Sequence, residues 1–198
     1  MRPTDILTQE HRVIERVLSC LEAATADPAR FDWDSAEQML DFFRNFADRC
    51  HHGKEEDQLF PALEARGFSR THGPTAVMRR EHEVGRGLMA TMTEAVHSGQ
   101  LGDATAFDRF ARAAREYIQM LRAHIHKEDS CLFPMANSFL RGVDDDELLR
   151  AFDRAEHAPG LTGQHEKYLA VADELADRFG VKRSFGAGAC QMSCGCGH

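Results

Sequence analysis

The 198-residue chain sets 24 lysines and arginines against 32 aspartates and glutamates, a formal net charge of -8, and its length fits one domain with an ordinary hydrophobic core. Basic residues interspersed among a larger number of acids exclude a phosphate-binding surface, and so a nucleic-acid partner; cations are favoured instead. No segment approaches the roughly 20 apolar residues of a bilayer span and the N-terminus has no secretory apolar stretch, so a soluble, cytoplasmic protein without a membrane partner is expected.

Ala, Leu, Glu and Arg are plentiful while Ile, Val and Thr are sparse, which predicts an all-α fold. The first helix runs from about Thr4 to Ala26, because Leu7, His11, Ile14, Leu18 and Leu21 recur at alternating steps of four and three. His11 therefore sits on the core stripe. A second helix, capped by Asp34 or Ser35, carries Leu40, Phe43, Ala47, His51, Glu55 and Leu59 inward and ends before Pro61. Pro74 opens a third, whose Met78, His82, Gly85, Met89, Met92 and Val96 form a heptad-like stripe up to Gly99, the methionines serving as adaptable core packing. After an Asp103 cap, the fourth places Phe107, Phe110, Ala114, Tyr117, Leu121, His124 and Glu128 inward before Pro134.

Four long amphipathic segments with short Gly- and Pro-containing links predict an up-down-up-down four-helix bundle over residues 1–140. Residues 141–182 read as a helical extension packed outside the bundle, interrupted near Pro159 and Gly163, with His157 and His165 solvated. Residues 183–198 read as a flexible Gly- and Cys-rich tail, where Cys190, Cys194, Cys196 and His198 offer a thiol-based metal or redox role. Cys20, Cys50 and Cys131 read as small core residues.

The strongest signal is an internal repeat. His51-His-Gly-Lys-Glu-Glu-Asp-Gln-Leu-Phe-Pro61 matches His124-Ile-His-Lys-Glu-Asp-Ser-Cys-Leu-Phe-Pro134, and a Glu-His pair precedes each, Glu10-His11 and Glu81-His82. In each His-x-x-x-Glu the imidazole and carboxylate lie one turn apart on one helix face, so both reach one metal site, and the duplication implies two ions. His11, His51, His82 and His124 then supply nitrogens while Glu55 and Glu128 bridge. Counting an oxo or hydroxo bridge, each ion has five ligands and an open position, and mixed imidazole and carboxylate donors with redox chemistry favour iron. His52 has the same spacing to Glu56, but it aligns with Ile125, which cannot ligate. His52, His126, Glu56 and Asp129 therefore read as residues that support the ligands from behind or lie at the surface, each about 100° around its helix from a ligand.

On these residues the sequence resembles the hemerythrin-like, or HHE cation-binding, domain family over about residues 4 to 140, with a ligand pattern most similar to the di-iron proteins of iron-centre repair. The resemblance implies a non-haem di-iron centre at His11, His51, Glu55, His82, His124 and Glu128. The oxygen-carrying hemerythrins have a second histidine one turn from the helix-three ligand, where this sequence has Met78 and Arg86, so reversible oxygen carriage is not carried over. The repair proteins often bear a separate N-terminal cysteine domain that this sequence lacks, so repair is not carried over either. The expected function is binding of or reaction with a small oxidant, dioxygen, nitric oxide or peroxide, in a redox or stress response. The alternative is a non-catalytic iron or oxygen sensor or iron-handling protein, including iron-centre repair, with a protein partner met through the C-terminal segment.

Overall fold

A computed structural model describes residues 1–158 and 162–182, and among them every regular element is helical. Six helices follow in order: α1 (Pro3–Ala24), α2 (33–65), α3 (Pro74–Gln100), α4 (106–139), α5 (Val143–Glu156) and α6 (Gln164–Phe179). The first four form the bundle, joined by short links. The predicted stripes are buried as expected, with Leu7, His11, Ile14, Leu18 and Leu21 of α1 all closed to solvent.

The bundle differs from expectation at two prolines. Pro61 and Pro134 lie inside α2 and α4, which continue to Ala65 and Phe139. Each follows a widened turn, Glu55–Leu59 or Glu128–Leu132, closed by a hydrogen bond from Phe60 N–H to the Glu55 carbonyl or from Phe133 N–H to the Glu128 carbonyl. These are five-residue, π-type bonds. A proline straight after them opens a fresh α-helical turn, where its missing N–H costs little. The Glu56 carbonyl, five residues before Pro61, instead accepts from the Arg79 guanidinium at 3.2 Å. At the other end of α2 the cap is Asp32, whose carboxylate accepts from Ser35 N–H at 2.9 Å.

Apolar side chains divide into two clusters. The larger holds Ile14, Leu18, Phe43, Phe46, Phe110 and Leu121, and α6 adds Tyr168, Ala172, Leu175 and Ala176 to it. The smaller holds Leu7, Leu59, Phe60, Met78, Leu132 and Phe133, and α5 adds Leu148 and Phe152. The extension thus completes both cores against the bundle. The Tyr168 hydroxyl donates to Asp41 at 2.8 Å and Arg178 donates to Ser35 Oγ at 2.9 Å, fixing α6 on α2. Cys20 is buried, but Cys131 is exposed on α4, contrary to the core reading. Cys190, Cys194, Cys196 and His198 lie outside the described residues.

Candidate metal centre

Between the two apolar clusters lies a layer of buried polar groups. His11, His51, His82, His124, Glu55 and Glu128 are each no more than 2% exposed. His11 Nε2 is 3.2 Å from Glu128 Oε2, and His82 Nε2 is 3.4 Å from Glu55 Oε2. His51 Nε2 lies 3.7 Å from Glu55 Oε1, and His124 Nε2 lies 3.3 Å from Glu128 Oε2. The structure thus brings all six predicted residues together, with each glutamate between histidines of different helices.

Each ring turns its other nitrogen outward to a carboxylate. His11 Nδ1 faces Asp129 at 2.8 Å, His51 Nδ1 faces Glu10 at 3.0 Å, His82 Nδ1 faces Glu56 at 2.5 Å and His124 Nδ1 faces Glu81 at 2.9 Å. In the neutral tautomer this network favours, Nδ1–H donates outward and Nε2 keeps a lone pair pointing inward. Every outer carboxylate also meets a cation: Glu10 meets Lys54, Glu56 meets Arg86, Glu81 meets Lys127 and Asp129 meets Arg12. The outer pairs obey the repeat, with Glu10 and Lys54 matching Glu81 and Lys127. The Glu-His pairs and the motif lysines were visible in the sequence, but their role was not; their recurrence in both halves was the available signal.

Inside this ring the groups are acceptors without donors. His11 Nε2, His51 Nε2 and both oxygens of Glu55 and of Glu128 are buried without a hydrogen-bond partner. His82 Nε2 and His124 Nε2 face one another at 3.1 Å. Two buried carboxylates ringed by imidazole nitrogens are costly unless a cation, either a metal ion or protons on the rings, lies among them. The donor set therefore fits metal. Two overlapping groups have ligand atoms within 4.8 Å of one another, His11, His51, Glu55 and Glu128 in one, and His52, Glu55, His82 and His124 in the other. Glu55 belongs to both.

The floor of the layer also follows the repeat. Phe133 stacks on His11 with ring centres 5.4 Å apart, and Phe60 stacks on His82 at 6.0 Å. These are the phenylalanines of the two Leu-Phe-Pro segments, and they keep the smaller apolar cluster against the donors. On the opposite side a cavity of about 440 Å³ is lined by His52, His82, His124, Gly85, Met89, Tyr117 and Leu121, among others.

Among the surrounding residues, Glu56 and Asp129 face the Nδ1 atoms of His82 and His11, and His126 is exposed. His52 differs, because it is buried and not at the surface. The reason is local: Phe43–His52 is π-helical, so more residues fill each turn and His52 stands less than an α-helical step from His51. His165 is also not solvated, since its Nε2 lies 3.5 Å from Glu10 and its ring packs on Phe46 at 5.4 Å.

Residues 2–136 match the hemerythrin HHE cation binding domain. The chain belongs to the hemerythrin family. This hemerythrin-family chain is 29% identical over 192 residues to the uncharacterized protein Rv1995 of Mycobacterium tuberculosis (strain ATCC 25618 / H37Rv), covering 93% of this chain and 70% of that protein. The uncharacterized protein Mb2018 of Mycobacterium bovis gives the same figures, 29% over 192 residues with 93% and 70% coverage. It is also 34% identical over 106 residues to the iron-sulfur cluster repair protein YtfE of Edwardsiella ictaluri, covering 50% of this chain and 45% of that protein. No solved structure matches it significantly. As a hemerythrin-like domain it binds metal, and among its described residues no helix is long and apolar enough to cross a membrane.

Proposed function

We propose that His11, His51, His82 and His124, with Glu55 and Glu128 bridging, hold two iron ions, and that this centre binds or reacts with dioxygen, nitric oxide or peroxide in a redox or stress response. The observation that carries this reading is the convergence of buried acceptors without donors at repeat-equivalent positions. Iron held there supplies one-electron redox chemistry and a coordination position for a small ligand. The chain's own residues do the rest. Glu10, Glu56, Glu81 and Asp129 hold the Nδ1 protons and fix the ring orientations. Phe60 and Phe133 exclude water from below, and the apolar wall of Gly85, Met89, Tyr117 and Leu121 suits a small uncharged ligand. Elemental analysis and nitric oxide titration of the reduced protein test the reading: about two irons per chain and an optical change on adding nitric oxide are expected. Iron-free protein after loading, or iron indifferent to nitric oxide, refutes it.

Iron-centre repair is a second reading, favoured by the similarity to the repair protein of Edwardsiella ictaluri. It predicts that iron-loaded protein restores activity to an iron–sulfur enzyme inactivated by nitric oxide, faster than free ferrous iron does. A reactive oxidant-consuming centre instead turns over peroxide or nitric oxide many times without losing its iron.

A further inference from the structure

The repeat makes the donor layer nearly symmetric, and one residue breaks the symmetry. His52 is 6% exposed and its Nε2 is buried without a hydrogen-bond partner. Its ring stacks on His82 with centres 3.8 Å apart and planes 16° from parallel. Its Nδ1 faces Asp48 at 3.4 Å, and Asp48 in turn pairs with Arg86. A ring with one nitrogen toward a cation-paired carboxylate and the other bare and inward repeats what all four predicted histidines do. In the second half the same place is taken by Ile125, packed into the larger apolar cluster. The second half also lacks the π-helical stretch that turns His52 inward, because Ala106–Lys127 is α-helical throughout.

We propose that His52 is a ligand of the metal held by His82 and His124, giving that ion three imidazoles while the ion of His11 and His51 has two. This rests on the di-iron reading above. His52 already belongs to one donor group with Glu55, His82 and His124. The third nitrogen takes the sixth position at that ion, so the remaining vacancy falls on the ion of His11 and His51. His52, His82 and His124 line the cavity and His11 and His51 do not, so a small ligand that enters through the cavity meets the three-imidazole ion first and reaches the vacancy beyond it.

The test compares the iron-57 Mössbauer spectrum and the nitric oxide stoichiometry of the reduced full chain with those of His52→Ile, which copies the second half, and His52→Gln. The expected wild-type result is two iron environments in equal amount and one nitric oxide per pair of irons. Both variants are expected to keep two irons, to move toward one environment, and to take up two nitric oxide molecules per pair. A wild type with a single environment overturns the proposal without any variant having to fold. Variants whose spectra and stoichiometry equal those of wild type overturn it too, while leaving the six-residue centre intact. Wild-type protein that holds no pair of irons overturns the di-iron reading and this proposal together.

Discussion

His51 Nδ1 lies 3.0 Å from Glu10 Oε2, and the other oxygen of Glu10 takes the Lys54 ammonium. His124, Glu81 and Lys127 repeat the arrangement, but Lys54 is 1% exposed whereas Lys127 is 41% exposed. Burial alone would lower the Lys54 pKa, but Glu10 and Glu156 outweigh it and raise it above the ordinary lysine value. Glu10→Gln and Glu81→Gln are therefore each expected to weaken metal binding about 10–100-fold by releasing a ligand ring. Only Glu10→Gln is expected to destabilise the metal-free protein strongly, by about 3 kcal/mol, because it leaves a buried ammonium partly unpaired. Chelator competition and denaturant melts of the metal-free proteins separate the two effects. Equal melts would refute the asymmetry.

Glu55→Ala and Glu128→Ala each remove a carboxylate that lies between histidines of two helices. Iron content in either variant is expected to fall to one ion per chain or fewer. Measured by elemental analysis, near-normal loading in both would sink the bridging assignment.

Metal-free His11 is pushed up to about 10 and His82 to about 9. Burial opposes this shift at both, but hydrogen bonds donated by His11 to Asp129 and Glu128, and by His82 to Glu55 and Glu56, outweigh it. Both metal-free rings then carry a second proton at neutral pH. Raised values in the folded state stabilise the metal-free fold below the unfolded value of 6.5, and this contribution is lost as pH rises through about 9 to about 10. Metal must displace the same protons, so apparent affinity is expected to climb with pH up to that range and to level off above it. Calorimetric titration in buffers of different ionisation heat is expected to show about two protons released per pair of ions, one from each ring. A heat independent of buffer would contradict this.

Gly99 of α3 lies under the Trp33 ring of α2, where an added methyl group would overlap the indole. Gly99→Ala is expected to cost about 1–3 kcal/mol by forcing the ring aside. Trp33 is the one tryptophan of the chain, so its fluorescence reports the displacement directly. An unchanged emission maximum with an unchanged melt would refute the packing.

The periodicity of four helices and the six converging donors were legible because the repeat tested each position twice: His51 and Glu55 had to agree with His124 and Glu128. The same comparison hid His52. Alignment with Ile125 argued it away from the centre, whereas an unequal helical pitch in the two halves, Phe43–His52 being π-helical, turns it inward. Periodicity assumes one pitch, so it cannot register a local change of winding. Periodicity ends the two helices at Pro61 and Pro134 for the same reason, whereas a π-type bond just before each lets the helix resume. Glu10 and Glu81 stand in the sequence only as neighbours of His11 and His82, yet each faces the histidine 41 or 43 residues later on the next helix. Only packing reveals that pairing.

The four outer pairs have different exposures to dissolved salt. Arg12 and Lys127 are 41% exposed and Arg86 is 34% exposed, so mobile ions screen their hold on Asp129, Glu81 and Glu56. Lys54, closed over by Glu156 of α5, is out of their reach. Raising ionic strength therefore loosens three corners of the donor layer and leaves the fourth fixed, making His51 the ring whose orientation least depends on the solution around the protein.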